Sequence, residues 1–366
     1  MSSDEFQHSR VPVENIYLRT PDFSSDRIMG YNTGIRPFRK SGVRLDSEVL
    51  ADKLIIHNYG YGGSGLTLCW GGAAEVLRIL DQEISANPVL ASIQSIAIIG
   101  AGVIGLATAH ELLQHGYQVR IYADKFSPEL TSNIAAGIIS PPVLLGHESD
   151  SQIALLNTML DVSVKRYLKI LRSEKPEFEG IREITDYRFE SGIPSIHEIS
   201  SGRFQQICLE QKNVRVHFDN GFIKHGIQVR EAGLDGKIFI SDLYANVIAR
   251  GAIHQSVYFS SKNDICNLRE KIIINCTSLG SRELFKDDDF YPVKGHLIYF
   301  HPQKEINYSF YADIPGEPDY WLKLYPWHDR LILGGMYEKG NESSHPDMAA
   351  INKLLSLGRK FFGQQN

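Results

Sequence analysis

The chain has 366 residues, 43% of them hydrophobic and 22% charged, with a formal net charge of −5, which describes a globular protein with room for one large domain or two interleaved ones. That acidic balance gives no basic field to gather phosphates, so neither nucleic acid nor a membrane surface is an expected partner. Cys69, Cys208, Cys266 and Cys276 form no CxxC pair, the N-terminal stretch is polar and no apolar run approaches a span's roughly 20 residues, so a zinc ribbon, a thioredoxin-like motif and a membrane helix are excluded and a soluble cytoplasmic protein is expected.

Residues 1–27 are polar and weakly periodic and read as a surface arm. Residues 52–57 predict a strand that enters the glycine-dense turn Tyr59-Gly60-Tyr61-Gly62-Gly63-Ser64-Gly65. A helical pattern follows over about 70–84, with Ala73, Val76, Leu77 and Leu80 on one face, until Ser85-Ala86-Asn87-Pro88 breaks it. The apolar run Ile96–Ile99 is a buried strand leading into Gly100-Ala101-Gly102-Val103-Ile104-Gly105, then a helix closed by Gly116, then a second strand over 118–122 before Asp124. An amphipathic helix is predicted over 155–173, and short, half-polar strands between about 180 and 235. Ile272–Ile274 is a further buried strand, ending in Asn275-Cys276-Thr277. Alternating segments at 296–300, 320–324 and 330–333 and a helix near 347–362 close the chain. There is no internal repeat.

The glycine motif sits in the context that gives it meaning: after a buried strand, opening a helix, within one βαβ unit, with acidic Asp124 standing 24 residues beyond Gly100, close to the roughly 20 expected for a ribose contact. Gly100 permits the tight turn, Gly102 lets the backbone approach a pyrophosphate, and Gly105 lets the helix close onto the strand. Val103 and Ile104 then present free N–H groups and the positive end of a helix to a diphosphate. This is a Rossmann-like dinucleotide site. The motif by itself does not choose between NAD and FAD. The small, polar run from Asp124 to Gly137, where a simple NAD domain would start another helix, favours FAD.

The stretch from Ile96 to Pro141 resembles the flavin-binding segment of the D-amino-acid oxidase and D-aspartate oxidase family. The resemblance implies Asp124 and Lys125 near the adenosine, Thr131 and Ser132 on the phosphates, and Ala136, Gly137 and Ile138 near the flavin ring. A second block, Tyr31-Asn32-Thr33-Gly34-Ile35-Arg36-Pro37, Val43-Arg44-Leu45 and Ile56 through Thr67, resembles the C-terminal end of the same family, although here it comes first. It implies that Gly62, Gly63, Ser64, Gly65, Leu66 and Thr67 line the flavin's pyrimidine edge. A third match, Ile274-Asn275-Cys276-Thr277, resembles the strand beneath the flavin and places Thr277 there. A circular permutation accounts for the order. It joins the 70–84 helix to the 96–99 strand through a linker at 85–94 and opens new ends in the substrate domain. It predicts Asn366 near residues 20–30 and the 70–84 helix beside strand 96–99.

The expected fold is α/β: an FAD-binding domain over 28–140 and 236–286, interleaved with an α+β substrate domain over 141–235 and 287–366 that contains a mixed or antiparallel sheet, with 1–27 as an extension. The expected activity is oxidation of an amine or amino acid by hydride transfer from Cα to flavin N5, with an imine product and oxygen or another acceptor completing the cycle. Neither a triad nor a metal set is visible. Arg36 matches the family's carboxylate-gripping arginine, whose planar guanidinium makes two parallel charge-assisted hydrogen bonds. Lys323 stands where the family has an active-site tyrosine. Two readings stay open for it: pairing with a second substrate carboxylate, or an exposed strand residue with the register off by one. Tyr325 and Trp321 share its face, and Tyr320 takes the other. Lys294 and His296 are pocket candidates for which a structural role is favoured. The rival functions are an FAD-binding protein without turnover and an NAD(P)-dependent reductase. A homodimer is admitted but not specified.

Overall fold

The computed structural model describes residues 13–140, 149–189 and 210–364; residues 1–12, Pro141, Cys208 and Asn366, on which some of these expectations fall, lie outside them. The elements run β1 (Val13–Leu18), β2 (Ile28–Arg39), β3 (Arg44–Leu50), β4 (Lys53–Tyr59), α1 (Gly65–Ala86), β5 (Ser95–Ile99), α2 (Val103–Gln114), β6 (Gln118–Ala123), α3 (Thr131–Ile134), β7 (Ala136–Ile138), α4 (Asp150–Leu171) and β8 (Ile181–Phe189). They continue as β9 (Glu210–Phe218), β10 (Ile223–Asp235), α5 (Gly236–Ala249), β11 (Ile253–Ser256), α6 (Lys262–Cys266), β12 (Ile272–Asn275), α7 (Gly280–Phe285), β13 (Phe290–Phe300), β14 (Ser309–Asp313), β15 (Tyr320–Pro326), β16 (Leu331–Met336), β17 (Glu338–Lys339) and α8 (Met348–Phe361).

Six strands form one sheet in the order β11-β6-β5-β12-β4-β3, parallel throughout except for the β3–β4 pair. A parallel sheet is covered on both faces, which is why β4, β5 and β12 read as unbroken isoleucine-rich runs. Ile56, Ile96, Ile98, Ile272 and Ile274 face the core formed with α1, α2, α4 and α5. Ile55, Ala97, Ile99 and Ile273 face the smaller core under α6 and α7. Thus α1 shares one core with β5, to which a short 3-10 segment at Pro88–Ser92 joins it.

The second sheet has eleven strands, on the path β1-β9-β10-β8-β14-β15-β16-β13-β17, with β2 also on β13 and β7 also on β10. One face carries Phe310, Leu322, Leu324, Leu331, Leu333, Ile298 and Phe300 against α8. Paired residues share a face, so the register β2–β13–β16–β15–β14–β8–β10 places Arg36, Tyr325, Lys323, Tyr311, Asp186, Arg188 and Glu231 together on the other.

Three features depart from the sequence reading. The described part of the arm at 1–27 is built in: β1 pairs in parallel with β9, and the Phe23 side chain is fully buried beside Phe300 and Phe362. Local periodicity could not show that, because its partners lie more than 190 residues away. The strands between 180 and 235 are long, β10 reaching 13 residues; the acids Asp186 and Glu231 on them are fully buried, which hides the alternation. Residues 28–39, expected with the nucleotide-binding part, pair instead with β13 in the larger sheet. Near the described C-terminus, Gln364 donates to the Pro21 carbonyl at 2.5 Å and Arg359 to that of Phe23 at 2.9 Å. Among the described residues no helix is long and apolar enough to cross a membrane.

Candidate active site

The turn between β5 and α2 requires its glycines. Gly100 has φ +105°, and a Cβ there would strike the Cys276 carbonyl; one on Gly105 would strike the Gly100 carbonyl. A Cβ on Gly102 would stand 3.6 Å from Ser132 Oγ, in the space where the first turn of α2 opens. Val103 N–H donates to Ser132 Oγ at 3.1 Å, so the hydroxyl-rich segment closes over the helix N-terminus, whose first N–H groups have no partner within the helix. Asp124 and Lys125 are exposed just past β6, where they can meet a ribose. Thr131 touches Gly34 of β2, 3.4 Å from where its Cβ would be. Thr277 is tied to Asn275, its hydroxyl donating to Oδ1 at 2.8 Å, and Asn275 in turn contacts His57 at 2.9 Å. Burial pushes His57 down to about 4 and so keeps this ring neutral.

A second helix N-terminus converges on the same place. Gly62 has φ +55°, and Ser64, which is buried, precedes the first turn of α1. A Cβ on Gly65 would lie 3.6 Å from Val103 Cγ1, and one on Gly137 would lie 3.1 Å from Leu66 Cδ1. Ser140 N–H reaches Thr67 Oγ1 at 3.4 Å. Residues 62–67, 100–105 and 131–138, distant in sequence, therefore form one continuous lining, with Ala136 and Ile138 on β7 at its side. Two positive helix ends and glycine-lined backbone suit an extended, doubly anionic dinucleotide with a ring that takes up negative charge.

Beyond Gly63 stands Arg36, whose Cδ would lie 3.3 Å from a Cβ there. Its guanidinium stacks over Tyr337 at 5.0 Å and reaches the Met336 carbonyl at 3.4 Å. Among the described residues it has no carboxylate partner, and burial pulls its pKa down. A side chain on Gly295 would collide with it, so that glycine leaves room for the guanidinium. Tyr325 lies next to Arg36, and burial pushes its phenol far up, keeping it protonated.

Lys323 is neither exposed nor open to a substrate carboxylate. Its Nζ lies 2.7 Å from Asp186 Oδ1 and 3.8 Å from Glu231 Oε1, while Arg188 bonds Glu231 Oε2 at 2.8 Å and Asp186 Oδ2 at 3.3 Å. The four alternate in charge around a ring. The expected second-carboxylate role is thus corrected, because the protein's own acids already hold the ammonium. Lys294 and His296 lie on the α8 side of the sheet, away from Arg36: His296 joins Glu338, at 2.6 Å, to Thr33, and Lys294 lies 3.8 Å from Glu338. The sequence reading missed Tyr337, Asp186, Arg188 and Glu231. Tyr337 stands two residues after the Leu333-Gly334-Gly335 motif, a usable signal; the other three are lone charges in strands with no spacing to mark them.

Residues 95–366 match the family model described as DAO, FAD dependent oxidoreductase. The chain is 26% identical to a D-amino-acid oxidase of Streptomyces coelicolor over 253 residues, covering 69% of this chain and 72% of that protein. It is 25% identical to the D-aspartate oxidase of Homo sapiens over 281 residues, covering 71% and 74%. Among solved structures, an L-proline dehydrogenase from P. horikoshii superposes with a TM-score of 0.52 at 14% identity, over 73% of this chain and 76% of the other.

Proposed function

Because the chain belongs to the DAO family of FAD dependent oxidoreductases, we propose that it oxidises an amino acid or amine whose carboxylate is held by Arg36. The observation that carries this is a buried guanidinium, without a carboxylate partner among the described residues, beside the Gly63 loop and the Tyr325 phenol. FAD is the cofactor, held by the lining at 62–67, 100–105 and 131–138 with Asp124, Lys125 and Thr277 at its edges. When bound it would supply a two-electron acceptor for hydride from the substrate Cα, the chemistry that would leave an imine. The protein's part is positional. Arg36 fixes the carboxylate in a fork of two bonds, Tyr325 walls the pocket, and the α1 N-terminus favours negative charge at the pyrimidine edge. Oxygen or another acceptor completes turnover.

The order of segments is best read as a circular permutation of the family chain. Three observations support it: the family match starts at Ser95, β3, β4 and α1 precede it yet share the sheet and core of β5, and Gln364 touches Pro21. On that reading the nucleotide-binding part combines about 40–140 with 236–286, and the larger sheet forms the substrate part.

The test is anaerobic bleaching of the FAD-loaded protein by D-amino acids, L-amino acids and N-methyl amines. Arg36→Ala is expected to raise KM for the bleaching substrate about 100-fold, the loss of two charge-assisted bonds, while the flavin absorbance of the purified protein persists. Unchanged kinetics remove Arg36 from the site, and no bleaching by any amine leaves a flavoprotein without amine turnover.

A further inference from the structure

The ring of Lys323, Asp186, Arg188 and Glu231 is more than a buried ion network, because it is incomplete at one atom. Glu231 is fully buried, yet among the described residues no N–H group donates to its Oε1: Lys323 Nζ stands 3.8 Å away, committed to Asp186 at 2.7 Å, and a proton on Glu231 itself goes to the Asp186 carboxylate. A buried carboxylate oxygen without a donor is costly, and a ligand that brings one recovers the cost. The ring shares its sheet face with Arg36, and Tyr325 lies between them, near Arg36 on one side and near Asp186 and Glu231 on the other.

We propose that Asp186 and Glu231 close the far end of the substrate pocket as a subsite for a cationic side chain, so that the substrate is an amino acid with a distal ammonium or guanidinium. This rests on the carboxylate being held by Arg36. The two ends of such a substrate match the two ends of the face: among the described residues, a guanidinium without a carboxylate at one and a carboxylate oxygen without an N–H donor at the other. An acidic side chain fits poorly, since it would meet two carboxylates and a lysine already spent. The resident cations do not saturate the pair. Burial and the neighbouring Asp186 charge push Glu231 up to about 7, so near neutral pH it holds a proton part of the time. An incoming ammonium displaces that proton and donates in its place.

The experiment is calorimetric titration of the FAD-loaded protein with three unreactive carboxylates of matched length: caproate, ε-aminocaproate and adipate. ε-Aminocaproate is expected to bind about tenfold more tightly than caproate, one charge-assisted hydrogen bond, and adipate most weakly. Glu231→Gln should bring the ε-aminocaproate to caproate ratio to within about threefold. The proposal is overturned if caproate binds as well as ε-aminocaproate, if adipate is preferred, or if the ratio survives in Glu231→Gln. Should that variant not fold, the wild-type ratio still decides. If caproate binds without any preference for the amine, only the cation subsite fails; if none of the three binds while FAD stays bound, the Arg36 reading fails as well.

Discussion

The nucleotide-binding sheet and the polar face of the larger sheet make their sites in opposite ways. In the first, ligand-facing chemistry comes from backbone: glycines at 62–65 and 100–105, two helix ends, and a hydrophobic interior of isoleucines behind them. In the second it comes from side chains that reach inward from five strands, and buried charge takes the place of buried hydrocarbon. Backbone sites tolerate little change in shape but little depends on charge; side-chain sites are the reverse.

The contrast is tested most severely at Lys323. Lys323→Met leaves Asp186 and Glu231 facing each other, and a broken buried pair costs about 3–5 kcal/mol, read as a lower denaturation midpoint. Replacing Asp186 by Leu in the same chain should recover much of that loss, because Arg188 still pairs with Glu231. A double variant no better than the single one would show that the ring is held by packing rather than charge.

The pH dependence separates the two regions by sign. Glu231, raised from 4.5 to about 7 in the fold, binds a proton that the unfolded chain has lost, so its contribution falls as pH rises between those values. His57, lowered from 6.5 to about 4, stays neutral where the unfolded chain is charged, so its contribution rises with pH over that window. Each amounts to about 3 kcal/mol across its window, and in wild type they oppose. His57→Gln should leave stability that declines from about pH 4.5 to 7, and Glu231→Gln stability that climbs from about pH 4 to 6.5. Matching slopes in the two variants would contradict the assignment.

Gly100→Ala probes the backbone site. A Cβ at φ +105° against the Cys276 carbonyl should cost about 1–3 kcal/mol and lower the FAD content of the purified protein, with no change in pH slope. The mildest substitution is Asp124→Ala. Loss of a solvent-exposed ribose contact should weaken FAD by about 0.5–1.5 kcal/mol, a few-fold to roughly tenfold rise in apparent Kd by fluorescence. No change would place the adenosine elsewhere.

The legibility of the two regions follows from the same difference. The turn at 100–105, the strands at Ile96–Ile99 and Ile272–Ile274 and the α1 pattern could be read because a dinucleotide site needs glycines at fixed spacing, and a doubly covered sheet needs continuous apolar runs. Arg36 was readable only through its family context. Lys323 was placed on the correct strand face by alternation, but its partners were not legible, since Asp186 and Glu231 come from strands 137 and 92 residues earlier. β1 and Phe23 were missed for that reason too.

By itself the sequence determined the strands and helices around the glycine motif, the dinucleotide turn and the chemistry of its ligand, because these depend on local backbone geometry and short-range periodicity. Only the tertiary structure decided that residues 62–67 meet 131–138, that among the described residues Arg36 stands without a carboxylate while Lys323 does not, and that Lys294 and His296 face away. Those outcomes depend on which strands pair across the sheet, and pairing is set by burial summed over the whole chain.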